Sequence, residues 1–211
     1  MSTFAKRERL LLADLLETAG PDAPTLCEGW QTRDLAAHVV VRERRPDAAG
    51  GMLIKQLAPR LEKAMEEFTA KPYEELIQLI RTGPPRFSPF QLKQIDEMSN
   101  TVEFYVHTED VRRAQPDWTG RELDPVFQDA LWSRLERTAR LMGRKAPTGL
   151  VLRRPDGQTA VAHRGTPVVT VTGEPSELLL FVYGRQSAAD VDVDGDQDAI
   201  TKLQESKQLG I

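Results

Sequence analysis

Cysteine is almost missing from this chain: Cys27 is the single one among 211 residues. One thiol cannot close an intrachain disulfide or build a thiolate zinc cluster, so no covalent staple is expected and a reducing compartment fits. Long apolar runs are missing as well, and nothing approaches the roughly 18 to 20 residues a membrane-spanning helix requires. The opening "MSTFAKRERLLLADLLETAG" could pass for a signal sequence, but Asp14 and Glu17 break its apolar run and no small-residue cleavage site follows. The expected location is therefore the cytoplasm. An excess of positive charge is absent too: the formal net charge is −4, which argues against a nucleic-acid binder held by phosphate contacts. The basic clusters "RERR" at 42–45 and "RRP" at 153–155 have no interleaved aromatics and read as solvated faces.

What is present is the composition of a soluble globular protein, long enough for one large domain or two smaller ones. Leu10, Leu11, Leu15 and Leu16 form a helical stripe that stops at Gly20-Pro21. A second helix is expected from Thr32, read as its cap, to Pro46, followed by a flexible "DAAGG". Leu53, Leu57, Leu61, Ala64, Met65 and Phe68 repeat helically over 52–68, and "YEELIQLIR" follows Pro72. "TGPPRFSPF" is a proline-rich loop, after which helices are expected over about 92–114 and over "PVFQDALWSRLERTARLMG". Beyond it the pattern changes to short β-branched runs. "GLVLRR" and "TAVAH" are joined by the hairpin signature "PDGQ", and "PVVTVTG" follows. "PSELLLFVYGR", with Ser176 as cap, is a helix, "ADVDVDG" alternates like a strand, and "DQDAITKLQESKQLG" closes as a helix. The expected class is α+β, with a helical bundle over 1–145 and a small α+β domain over 146–211.

Histidine is scarce, and the placement of two of the three is informative. His38 lies in "DLAAHVVV" and His107 in "VEFYVH", both inside apolar helical stretches. A buried imidazole needs a partner for each ring nitrogen, or a metal on one of them. Glu103 stands four residues before His107 and so shares its helix face. If the two helices are neighbours, His38, Glu103 and His107 could converge, and two imidazoles with one carboxylate suit Zn²⁺ while leaving a fourth position open. Fe²⁺ or Ni²⁺ could use the same set. The bland alternative is a hydrogen-bonded pair on an ordinary helix. Asp34 is a candidate competing ligand or outer partner of His38, and Asp110 an outer partner of His107 or a solvated charge. Glu109, Arg112 and Arg113 read as solvated, and Arg42 and Arg45 as surface residues with a cleft-facing, anion-binding role as the alternative. Cys27 reads as a buried small hydrophobe unless it lies exposed near an arginine or the metal, Trp30 as core, and His163 has no assigned role.

"LCEGWQTRDLAAHVVVRERRPDA" and "TVEFYVHTEDVRRAQPDW" resemble the two motif segments of the mycothiol-dependent maleylpyruvate isomerase-like proteins. These belong to the DinB-like superfamily of metal-binding four-helix bundles. The pattern W-x-x-x-D-L-x-x-H with E-x-x-x-H-x-x-D carries the resemblance, which extends over nearly the whole chain. "RERRPDAAGG" fits an actinobacterial branch of metal-binding proteins better than the isomerase proper. The resemblance implies a divalent metal, usually zinc, on His38, Glu103 and His107. It also implies mycothiol as thiol cosubstrate, activated as a thiolate for an S-transferase or isomerase reaction. "LLLFVYGRQSAADV" matches the family's Gly-Arg pair and nominates Arg185 to hold a carboxylate of substrate or thiol. The expected partners are a small-molecule thiol and an anionic or electrophilic substrate, with no nucleic acid or membrane, and the protein is expected as a monomer or homodimer. Two other functions remain open on the same fold: a non-catalytic metal- or small-ligand-binding module, and a metal-dependent hydrolase with water in the open position.

Overall fold

In the computed structural model of this chain, which describes residues 3–206 and 209 apart from 53, 87, 89 and 90, two compact units separate. They span residues 1–120 and 121–211. The helical role expected of Leu53, the loop residues 87, 89 and 90, and the end of the closing helix beyond 206 lie outside the described residues.

The first unit is helical: α1 (Phe4–Ala19), α2 (Thr32–Arg44), α3 (Pro46–Ala49), α4 (Ala58–Thr69), α5 (Tyr73–Thr82) and α6 (Lys93–Arg112). Thr3 caps α1 by accepting the Lys6 N–H at 3.2 Å, and Gly20, at φ 78°, ends it. The expected cap of α2 was Thr32. The cap is instead Gln31, whose N–H donates to the Asp34 carboxylate at 2.9 Å, while Thr32 is the first helical residue and donates its hydroxyl to the Gly20 carbonyl. Asp34 thereby serves the helix start through one carboxylate oxygen. The expected flexible "DAAGG" is a short helix and a 3-10 turn, and the helix expected from 52 begins only at Ala58, with 3-10 turns before it. α1 packs along α5 and α6, and α2 along α4 and α5. Leu12, Leu16, Leu35, Val39, Leu76, Ile77, Ile80 and Phe104 fill the space between them.

That core contains charge. Arg9 of α1 and Glu43 of α2 form an ion pair of 2.6 Å whose side chains are 6% and 2% exposed, and the Arg9 guanidinium lies over the Phe104 ring. "RERR" is therefore not the solvated face expected. Arg44 donates to the Gly83 carbonyl at 2.7 Å, and Arg45 alone of the four lies in exposed pairs, with Asp47 and Glu67. The charged end of α6 is not solvated either. Glu109 is buried between Arg112 (3.0 Å) and Arg113 (2.7 Å), and Arg113 stacks on Trp118.

The second unit comprises α7 (Pro125–Met142), β1 (Gly149–Arg153), β2 (Thr159–His163), β3 (Val168–Thr172), α8 (Pro175–Val182), β4 (Asp192–Asp194) and α9 (Gln197–Glu205). Its sheet runs β2-β1-β3-β4, antiparallel except for the parallel β1/β3 pair. The expected hairpin turn is there, with Gly157 at φ 90°. α7 packs on α8 and β2, so the packing boundary falls before this helix and not after it at 145. Gln128 of α7 fixes that association by receiving the Ser176 N–H at 3.0 Å and donating to its hydroxyl at 3.1 Å. Ser176 is thus an interhelical partner, while Glu174 is the cap of α8. The chain as a whole has the mixed helix-and-sheet class expected from its sequence.

The Arg9–Glu43 pair generates a stability contrast. Arg9→Ala strands a buried carboxylate, for which a loss of about 3–5 kcal/mol is expected in urea unfolding. Arg81→Ala, which removes exposed pairs with Asp14 and Glu17, should leave the unfolding midpoint unchanged. Equal midpoints for the two variants would contradict the assignment.

Candidate metal centre

α2 and α6 bring the three sequence-nominated residues together. His38 faces α6 from the middle of α2, and Glu103 and His107 stand one above the other on α6. Glu103 Oε1 lies 3.2 Å from His38 Nε2 and 3.2 Å from His107 Nε2, and the two imidazoles meet edge to face with centroids 5.1 Å apart. A single carboxylate oxygen is therefore shared by two ring nitrogens from two helices.

Each ring has a further neighbour. His107 Nδ1 is 2.9 Å from Asp110 Oδ2, and the same oxygen accepts from the Cys27 thiol at 3.2 Å. Asp110 is fully buried, so it is a partner of the imidazole and not a solvated charge. The Trp30 ring lies against His38, 5.1 Å between centroids and tilted by 52°. Both Cys27 and Trp30 sit on the loop from α1 to α2. This loop is held to α6 by the Leu26 N–H donating to the Asp110 carbonyl at 3.0 Å, and it is braced internally by the Thr25 hydroxyl on the Trp30 carbonyl at 2.8 Å. Cys27 is half-buried and packs against the hydrophobic core, as expected of a small hydrophobe, and its thiol also donates to Asp110.

Arg42 faces the site and not the surface, the less favoured of its two expected placements. One turn after His38, its Nε lies 3.3 Å from Glu103 Oε1, with its side chain only 17% exposed. A signal existed in the i,i+4 spacing from His38, which puts Arg42 on the same helix face. Arg185 belongs to the second unit. It follows α8 in a Schellman turn, its N–H donating to the Leu180 carbonyl at 2.9 Å and that of Gly184 (φ 86°) to Phe181 at 3.2 Å. Its half-buried guanidinium donates to the Tyr183 carbonyl. His163 ends β2 and joins no cluster of potential metal ligands among the described residues.

These neighbours set the protonation states. For Glu103, burial opposes ionisation, but hydrogen bonds from His107 and His38 and the charge of Arg42 outweigh it and hold the carboxyl well below its usual range. For His107, burial opposes protonation, yet Asp110, Cys27 and Glu103 overcome it and push the ring well above the usual imidazole value. For His38 burial prevails over the Glu103 hydrogen bond, aided by the charges of His107 and Arg42, and its pKa is lowered. The two histidines are thus set apart: His38 is biased neutral and His107 cationic.

The donor set fits a divalent metal. Bonds of about 2.1 Å in a tetrahedron separate neighbouring ligand atoms by about 3.4 Å, close to the 3.2 Å found between Glu103 Oε1 and each imidazole nitrogen. Asp110 occupies Nδ1 of His107 and leaves Nε2 for the metal, the usual outer partner of a metal-bound histidine. A second grouping, Cys27, His107 and Asp110, also brings potential ligand atoms within 4.8 Å of one another. It shares His107 but uses the other ring nitrogen, so the two groupings are experimentally separable.

At the level of sequence, no protein-family profile and no curated protein matches the chain. In three dimensions it is similar to the mycothiol-dependent maleylpyruvate isomerase. A histidine-to-alanine mutant of that enzyme superposes with a TM-score of 0.59 at 17% identity, covering 92% of this chain and 96% of that one. Another structure of the isomerase gives 0.55 with the same identity and coverage. The chain shares that enzyme's fold.

Two predictions follow from the centre's geometry and charge. Metal uptake at neutral pH should release about one proton, from His107, and affinity should rise with pH until that ring is neutral. Calorimetry in buffers of different ionisation enthalpy reads the proton, and an enthalpy independent of buffer would contradict it. Glu103→Gln should weaken zinc binding by more than the roughly 10–100-fold typical of outer partners, whereas Cys27→Ser should keep the metal. The reverse ranking in a chelator competition would move the site to the Cys27 grouping.

Proposed function

We propose that this protein is a metal-dependent enzyme of thiol chemistry, an S-transferase or isomerase that uses a low-molecular-weight thiol such as mycothiol. The observation that carries the reading is the convergence of His38, Glu103 and His107 on one point, within a fold shared with a mycothiol-dependent isomerase. The first unit would serve as a DinB-like four-helix bundle holding zinc or another divalent metal, and the protein would work in the cytoplasm as a monomer or homodimer.

His38, Glu103 and His107 would hold the cation. When bound, it lowers the pKa of a coordinating thiol and so supplies a nucleophile at neutral pH. The protein's own residues prepare that position. Asp110 accepts from His107 Nδ1 and fixes the tautomer that presents Nε2. Trp30 limits rotation of the His38 ring by packing against it. Three protein ligands leave a position for an exogenous group, the arrangement of catalytic rather than structural zinc sites. Arg185 is the candidate for binding a carboxylate of thiol or substrate in bidentate fashion.

The test is turnover by zinc-loaded protein given mycothiol and a panel of electrophiles that includes maleylpyruvate, with thiol consumption and cis–trans isomerisation both followed. Activity that disappears on chelation and returns with metal is expected, with Arg185→Ala raising KM for the anionic reactant. A fully metal-occupied protein inert across the panel would contradict the enzymatic reading and leave a metal-binding module.

A further inference from the structure

Glu103 Oε1 is shared by two imidazoles, and Arg42 adds a third contact to the same oxygen. Its Nε lies 3.3 Å from Glu103 Oε1, while Nη1 donates to Asn100 Oδ1 and Nη2 donates to the Ser99 carbonyl at 3.1 Å. All three nitrogens of one planar group thus engage acceptors on α6, and a guanidinium so held cannot turn without breaking the set.

The anchor is itself anchored. Asn100 is fully buried and donates through Nδ2 to Asp96 Oδ1 at 2.6 Å. The same Asp96 oxygen accepts from Arg9 Nη2 at 3.3 Å, and Arg9 Nη1 donates to Glu43 at 2.6 Å. A continuous polar chain therefore runs Glu43, Arg9, Asp96, Asn100, Arg42, Glu103 through α1, α2 and α6. Networks of this kind gain rigidity from full satisfaction in a low-dielectric interior.

We propose that Arg42 is a positioning residue of the metal centre, its guanidinium fork holding Glu103 Oε1 at the point where His38 Nε2 and His107 Nε2 converge. The inference rests on the metal reading of those three residues. Arg42 does not reach for substrate, because its fork is committed to α6. Nor does it act as a bare positive charge, which would oppose a cation.

The fork and the bare charge predict opposite signs. Cobalt(II) titration followed by visible absorption, on wild type, Arg42→Lys and Arg42→Met, separates them. If the fork positions Glu103, both variants bind cobalt about 10–100-fold more weakly, and both change the ligand-field bands, since lysine keeps the charge but not the planar donors. If Arg42→Met binds as tightly as wild type or tighter, with unchanged bands, the inference is overturned. Should Arg42→Met fail to fold by circular dichroism, Asn100→Ala, which keeps Arg42 and removes its Nη1 acceptor, must weaken binding and alter the bands in the same direction. Wild-type affinity and bands in that variant overturn the inference equally. Wild-type protein that takes up no cobalt overturns the metal reading itself, a result distinct from failure of the fork.

Discussion

One carboxylate oxygen, Glu103 Oε1, receives His38 from α2, His107 from its own helix and Arg42 from α2. A half-buried anion between packed helices is stabilised where donors or cations surround it, and this oxygen has three. The requirement ties α2 to α6 along the turn that carries His38 and Arg42. It also sets the charges of the centre, because the carboxylate stays ionised, His107 is drawn toward its cationic form and His38 is left neutral. The loop bearing Cys27 and Trp30 closes around the same point through Asp110 and the His38 ring.

The charged end of α6 shows two ways of burying polar groups within a few residues of each other. Glu109 is saturated by the neighbouring Arg112 and Arg113, an arrangement local to one helix end that stabilises it against the helix dipole. Glu103 and His107 are instead aimed across to another helix, their atoms converging at separations suited to a shared cation. Both sets are ionic, with Glu109 fully buried and Glu103 half-buried.

The sequence was most legible where the signal was local. Apolar periodicity marked the helices, β-branched runs and "PDGQ" marked the sheet, and the i,i+4 pair of Glu103 with His107 needed only helical geometry. Pairing this set with His38 rested on the scarcity of histidine within apolar helices. What was misread depends on partners distant in the chain. Arg9 and Glu43 are 34 residues apart, Arg42 and Asn100 58, and Cys27 and Asp110 83, so Arg42 and Glu43 read alone looked like solvated charges and Cys27 like a small hydrophobe. α7 was misassigned for a related reason. Its helical period resembles that of the helices before it, but Leu131 and Leu135 are buried in a unit where the helix packs on α8 and β2.

In the proposed function the metal would sit between the two imidazoles and Glu103, and X-ray absorption at the zinc edge of thiol-free, zinc-loaded protein reads its neighbours. A first shell of nitrogen and oxygen only, at about 2.0–2.2 Å, with the outer scattering of two imidazoles, is expected. A sulfur neighbour at about 2.3 Å would place the metal on Cys27 and contradict it.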